Sequence, residues 1–185
     1  LQAWRLAILM GFGMVHFFFI WPGDILFYYA LFGFLVLPCM KWTVKRQMGI
    51  GLAGYILGAL LIGGSLTMPF LVADTAFGET PAMADERASI IADIDRAVAH
   101  GEVPNAAIAA GDYGTLVAHR FTEQWYEPLA NALLFGFETF PLMLIGMALY
   151  RMGFFSGGVA RGKLLGWGWA GMIAGGLAHL AIGLL

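Results

Sequence analysis

Five long apolar segments constrain the fold of this chain more than any other feature. Crossing a hydrocarbon core of about 30 Å takes roughly 20 helical residues. The segments that meet this length are 3–20, 24–41, 48–73, 126–150 and 164–185. Only 12% of the residues are charged, against about 25% in soluble domains. The sequence therefore predicts an all-α, polytopic transmembrane helical bundle with five spans.

The basic residues predict how these segments are oriented. Alternating crossings place most of the Lys and Arg residues on one side: Arg5, Lys41, Lys45, Arg46, Arg151, Arg161 and Lys163. The positive-inside rule makes that side cytoplasmic. We therefore expect a multi-pass protein of the bacterial cytoplasmic (inner) membrane. Its parts would be three spans in 1–73, an extracytoplasmic loop in 74–125 and two spans in 126–185.

The loop contains two predicted amphipathic helices. The first begins at Ala84 with acidic residues in its first turn and ends at Gly101. The second begins after Asp112, and its apolar side comprises Tyr113, Leu116, Val117 and Phe121. Because the first helix is acidic, anionic lipid suits it poorly as a partner. We expect it to pack on the ends of the bundle instead.

Residues 21–24 join the first two segments, and this connection is short enough to make them antiparallel neighbours. Pro22 presets φ for the first central turn position, and Gly23 permits positive φ at the next. Asp24 can cap the helix that follows and lie favourably at its positive end.

His16 and Asp24 form the first candidate catalytic pair. His16 is one turn inside the end of segment 3–20 and can act as an acid or base near neutral pH. Both residues lie near the same membrane face, within reach of Trp21, a candidate substrate-binding residue. In the alternative interpretation, His16 hydrogen-bonds a neighbouring carbonyl and Asp24 is only a helix cap.

Glu138 is the third candidate catalytic residue, because it lies in the middle of a predicted span. A carboxylate there is costly unless it faces the bundle or a cavity. Glu127 and Asn131 share its helix face, so the three predict a polar stripe that binds substrate or conducts protons. The alternative is a structural glutamate, hydrogen-bonded to a neighbouring helix.

Glycine spacing predicts two helix contacts, one at Gly54 and Gly58 and the other at Gly171 and Gly175. The chain has no His-x-x-x-His, Cys-x-x-Cys or Glu-x-x-His spacing, so the sequence predicts no metal site. No cofactor is evident, and the net charge of −2 gives no support for nucleic-acid binding. The expected partners are the lipid bilayer and other proteins of a membrane complex.

Three motifs resemble the YeiB-like family of bacterial membrane proteins of unknown function. The first comprises Arg5-Leu6, His16, Trp21-Pro22-Gly23-Asp24-Ile25-Leu26 and Ala30-x-x-Gly33. The second is Gly111-Asp112-Tyr113 with Arg120, and the third is Leu144-Ile145-Gly146-Met147-Ala148-Leu149-x-Arg151-x-Gly153. Members of that family are longer, so the resemblance implies that this chain is a fragment of a longer protein.

The same resemblance implies kinship with transmembrane acyltransferases, which transfer acyl groups to extracytoplasmic acceptors. Acyl-CoA would then be a possible donor, and Tyr113 and Arg120 would join the substrate-binding residues. Two other functions fit the residues: a non-catalytic accessory subunit of a larger membrane complex, and a transporter whose pathway is lined by the polar stripe. The residues leave open whether the chain is an enzyme.

Overall fold

The computed structural model describes the backbone of residues 1–183 and the side chains of residues 1–177, 179 and 180. The helices of this part are α1 (Gln2–Phe19), α2 (Leu26–Val36), α3 (Val44–Asp74), α4 (Ala84–Ala110), α5 (Tyr113–Thr122), α6 (Glu127–Ala130), α7 (Ala132–Arg151) and α8 (Arg161–Gly183). Short 3-10 turns occupy Pro38–Lys41, Pro81–Met83 and Phe154–Ser156. The predicted all-α fold is confirmed for the described residues. Three helices, α1, α3 and α7, are long and apolar enough to cross a membrane.

Two of the predicted spans are interrupted. The continuous helix predicted over 24–41 is wrong, because α2 ends at Val36 and a 3-10 turn begins at Pro38. Proline has no N–H to donate and clashes with the carbonyl four residues back. At 11 residues, α2 is only about 16 Å long. The segment 126–150 is likewise divided at Asn131, between α6 and α7.

The first loop helix is longer than predicted. Instead of ending at Gly101, α4 continues through Pro104 to Ala110, and Gly111 ends it in the left-handed conformation (φ 68°). A glycine inside a helix costs about 1 kcal/mol relative to Ala. Packing offsets that cost, since Ala107 in the extended part is buried and α4 packs along α5. The start of the second loop helix after Asp112 is confirmed.

Two helix pairs make up the body of the molecule. One is the antiparallel α1–α2 hairpin, the other is the α3–α7 pair, and α2 packs on α7 to join them. The buried side chains at this junction form two clusters: Tyr28, Phe32 and Ala132 in one, and Val36, Cys39 and Leu144 in the other. We call the end with the α1–α2 connection the turn end, and the end with Lys41, Lys45, Arg46 and Arg151 the basic end.

The contact predicted at Gly54 and Gly58 is confirmed, and it is a close approach of α3 to α7. A Cβ on Gly58 would lie 2.5 Å from the Phe137 backbone oxygen, and one on Gly54 would lie 3.1 Å from the Pro141 ring. Gly51 extends the same row, with the Pro141 backbone oxygen 3.0 Å from its Cβ position. Small residues let the two backbones approach this closely.

The contact predicted at Gly171 and Gly175 is absent from the described residues. A Cβ at either position would meet no atom within 4 Å, and the helix that carries them, α8, forms no extensive packing with the described helices. The last two residues of the predicted span 164–185 lie outside the described range.

A polar network centred on buried Gln47 links α3 and α7 at the basic end. Gln47 is fully buried, and its Nε2 donates to the Cys39 carbonyl at 2.9 Å. Arg151 Nη1 donates to Gln47 Oε1 at 3.1 Å and to the Trp42 carbonyl. The start of α3 and the end of α7 therefore lie at the same end of the bundle, as the predicted orientation requires.

We expect Arg151→Met to destabilise the bundle by about 1–3 kcal/mol, because Gln47 Oε1 is left buried without a donor. Thermal unfolding in detergent measures the loss. Arg161→Met is the control, since Arg161 is exposed at the start of α8. Equal unfolding temperatures for the two variants would contradict a stabilising role of the network.

Candidate functional site

His16 and Asp24 meet at the turn end, as predicted. His16 Nδ1 lies 3.0 Å from Asp24 Oδ1. The Nδ1 atom is buried and forms no aligned hydrogen bond. The two groups are therefore in close electrostatic contact, but the Nδ1 atom does not point at the carboxylate oxygen at a hydrogen-bonding angle. The His16 side chain as a whole is 31% exposed. Because Nδ1 is buried, this exposure belongs to other atoms of the side chain.

Asp24 is held in place by local structure. It is only 5% exposed, and its Oδ2 accepts a hydrogen bond from the Phe27 backbone N–H at 2.9 Å. Asp24 thus binds a first-turn N–H of α2 in the manner of a cap, although the N-cap position itself is occupied by Ile25. Gly13 makes room for this arrangement, since a Cβ there would overlap the Phe27 backbone and lie 2.9 Å from Asp24 Oδ2. Asp24 therefore binds the first turn of α2 with one carboxylate oxygen and contacts His16 with the other.

The connection between α1 and α2 uses its glycine differently from the prediction. Among the described residues, only Gly111, Gly153 and Gly157 have positive φ, so positive φ at Gly23 is wrong. In the structure the Trp21 ring packs over Gly23, and its nearest atom lies 2.5 Å from where a Cβ would be. Trp21 itself is 61% exposed and covers the turn beside the His16–Asp24 pair.

Tyr113 and Arg120 of α5 form hydrogen bonds with the C-terminal end of α1. Arg120 Nη1 donates to the Phe18 carbonyl at 3.2 Å, and the Tyr113 hydroxyl donates to the Phe19 carbonyl. The last carbonyls of a helix have no partner within the helix, so these bonds cap α1. Phe121 adds a ring stacked on Phe18, with centroids 4.3 Å apart. Helix α5 therefore packs on the C-terminal end of α1, at the turn end.

Arg120 is 3% exposed, and its Nε is buried with no hydrogen-bond partner in the described part of the chain. Burial lowers the pKa of its guanidinium from the ordinary value, although arginine remains protonated at neutral pH. We expect Arg120→Gln to loosen α5 from α1. Hydrogen exchange should then speed up in residues 113–122, while α3 and α7 keep their protection. Uniformly faster exchange would contradict a local role.

The residues of the predicted polar stripe do not form one continuous stripe. Glu127 lies on α6, half-buried, whereas Asn131 is the exposed junction between α6 and α7. Both lie near Tyr28, whose buried hydroxyl neighbours the Asn131 side chain with Glu127 and Asp24 in electrostatic range. Glu127 and Asn131 thus belong to a polar layer at the turn end.

Glu138 lies apart from that layer. It is exposed on α7 rather than buried in the bundle, and of the two predicted surroundings, the bundle interior or a cavity, it has the second. Its side chain borders a groove of about 190 Å³ with Tyr55 and Ala59 of α3, and another of about 230 Å³ with Tyr29 of α2. Phe137 and Pro141 of α7 pack against the glycines of α3. Because a helix turns about 100° per residue, Glu138 then lies at the edge of the α3–α7 contact.

Two residues of the site were missed by sequence reasoning. Gly13 permits the approach of Asp24, and Tyr28 extends the polar layer. Gly13 could have been found from its spacing, because it lies one helical turn before His16 on the same helix face. Tyr28 gave no signal, because tyrosine is ordinary in an apolar helix near a membrane interface.

The described residues contain no group of three or more His, Cys, Asp and Glu side chains that could hold a metal ion. Comparisons with protein-family models, with curated proteins and with solved structures found no match to this chain.

Proposed function

We propose that this chain is a multi-pass protein of the bacterial inner membrane that transfers acyl groups to an extracytoplasmic acceptor. Its five spans would place the turn end outside and the basic end in the cytoplasm. Three helices of sufficient length and hydropathy support a membrane location. The resemblance to the YeiB-like family supports the acyl-transfer chemistry.

The contact between His16 and Asp24 carries the proposal. A histidine oriented by a buried carboxylate is the arrangement that activates hydroxyl nucleophiles in acyl transfer. His16 Nε2 takes the proton of an acceptor hydroxyl as its oxygen attacks the acyl carbonyl. The new C–O bond forms, the bond to the donor's leaving group breaks, and the imidazolium returns the proton to that group. Asp24 stabilises the imidazolium charge throughout.

An apolar groove beside the pair suits an acyl chain. It has a volume of about 540 Å³ and is lined by Met14, Phe27, Trp125, Tyr126, Pro128, Leu129 and Ala130. Phe27 is the residue whose backbone N–H binds Asp24, so the groove lies close to the carboxylate of the pair. An acyl donor such as acyl-CoA would lay its chain along this groove, with its carbonyl toward His16. Trp21, Tyr113, Arg120, Glu127 and Asn131 surround this end of the molecule as candidates for substrate binding.

Mass spectrometry of cell-envelope glycans and lipids tests the proposal. A deletion strain should lack one or more acylated species, and the wild-type gene should restore them. An unchanged acylation pattern in the deletion strain would contradict the proposed function.

A second candidate function is that of an accessory subunit, and exposed Glu138 favours it. A carboxyl at the middle of a span costs on the order of 2.5–3.5 kcal/mol toward lipid. A neighbouring membrane protein that offers a hydrogen-bond donor at that depth would remove most of this cost. The grooves on both sides of Glu138 would receive individual side chains of such a partner.

Co-purification from mild detergent tests the second function. Glu138→Leu should lose a membrane partner, while Glu138→Gln, whose amide still hydrogen-bonds, should retain it. Glu127→Gln is the matched control at the turn end. Identical partners in wild type and Glu138→Leu would contradict the accessory role.

A further inference from the structure

Two histidines, one on α4 and one on α5, lie close to each other where these helices pack together. The ring centroids of His100 and His119 are 5.8 Å apart, with an angle of 54° between the ring planes. His119 is half-buried, and its Nε2 has no hydrogen-bond partner in the described part of the chain. His100 is exposed. Neither residue belongs to the His16–Asp24 site.

The α4–α5 connection holds this pair in place. Gly111 ends α4, and Asp112 caps α5 through the Thr115 backbone N–H at 3.0 Å and the Thr115 hydroxyl at 2.7 Å. These bonds also lower the pKa of Asp112 below its ordinary value, so the cap is charged at neutral pH. Arg120, next to His119, anchors α5 to α1. These contacts fix the start of α5 and its attachment to α1, and so fix the position of the helix that carries His119.

Their separation matches a shared metal ion. At a metal–nitrogen distance of about 2.0–2.1 Å each ring centroid is about 3 Å from the metal, so two coordinated imidazoles have centroids about 5–6 Å apart. An unpartnered imidazole nitrogen supplies the lone pair, and the exposed side of His100 admits the ion with its remaining water ligands. Imidazole favours Zn²⁺, Cu²⁺ and Ni²⁺ over Mg²⁺ and Ca²⁺.

We propose that His100 and His119 form a binding site for one divalent transition-metal ion, Zn²⁺ or Cu²⁺, that clamps α4 to α5. With two protein ligands, the ion keeps open coordination positions for water or a substrate oxygen. The site is independent of the proposed acyl transfer.

The test uses the full chain purified in detergent without a polyhistidine tag. Titration calorimetry with Zn²⁺ should give one equivalent of binding, and His100→Ala and His119→Ala should each weaken it at least about tenfold. His179→Ala, which removes a histidine on α8, should leave the affinity unchanged. Electron paramagnetic resonance with Cu²⁺ should show two coordinating imidazole nitrogens in wild type and one in each single variant.

His100 is exposed, so His100→Ala should retain the wild-type circular dichroism spectrum and melting temperature without metal. His119→Gln replaces His119→Ala if the alanine variant does not fold. No saturable Zn²⁺ binding by wild type would overturn the proposal. Unchanged affinity or an unchanged nitrogen count in His100→Ala would overturn it equally.

Discussion

Replacing Gly58 with alanine is expected to destabilise the protein by about 1–3 kcal/mol, which is the usual cost of inserting a group into a closed contact. The new Cβ would lie 2.5 Å from the Phe137 backbone oxygen and 2.9 Å from the Phe137 Cβ. Neither atom can move without shifting α7. The loss should exceed the gain of about 1 kcal/mol that alanine brings in a helix interior. Thermal unfolding in detergent measures the difference.

Gly63→Ala is the matched control in the same helix, because a Cβ there would meet no atom within 4 Å. This variant should be as stable as wild type or slightly more stable. Gly58→Leu should lose more stability than Gly58→Ala, since the longer side chain cannot be accommodated. If Gly58→Ala and Gly63→Ala unfold at the same temperature, the close α3–α7 contact is not present in the protein.

His16→Ala is expected to lower the rate of acyl transfer by about 10²–10⁴-fold, the usual contribution of a general base. Asp24→Asn tests the orienting carboxylate separately. The asparagine oxygen can still accept the Phe27 N–H, so the cap of α2 is retained, whereas the charge facing His16 is lost. The activity of Asp24→Asn should therefore fall while its unfolding temperature stays close to wild type. Complementation of the deletion strain, read by mass spectrometry, measures the activity.

A stability control accompanies these variants, since Asp24 is buried at a helix start. Asp24→Ala removes both the charge and the cap, and should lose about 0.5–2 kcal/mol of stability beyond Asp24→Asn. Full complementation by His16→Ala would remove the pair from the proposed chemistry. It would leave His16 and Asp24 as a structural link between α1 and α2.

Features that depend on a few neighbouring residues were readable from the sequence. Segment length and low charge indicated a helical membrane protein, and Asp24 and Asp112 were recognisable as caps because each binds a backbone N–H three residues ahead. The meeting of His16 and Asp24 was also predictable, since only eight positions and one turn separate them. These interactions have small sequence separation, so local chemistry largely decides them.

Features that require a partner from elsewhere in the chain were decided by tertiary structure. The Gly54/Gly58 and Gly171/Gly175 pairs have the same spacing, yet only the first pair meets another described helix closely. Arg120 matched a motif, but its role as a cap of α1 depends on tertiary structure. It requires α5 to pack against the end of α1, where Arg120 binds the Phe18 carbonyl 102 positions earlier in the chain. The contact between the rings of His100 and His119 likewise depends on how α5 packs against α4.

Glu138 shows the physical reason most clearly. Its position in the sequence set its depth in the predicted span, because depth follows from the rise of 1.5 Å per residue. The sequence did not determine the direction in which the Glu138 side chain points. A span that is apolar on every side has no hydrophobic periodicity to mark which face is packed. Phe137 and Pro141 pack against the α3 glycines, and this contact fixes the rotation of α7 about its own axis. In that orientation the Glu138 side chain is exposed.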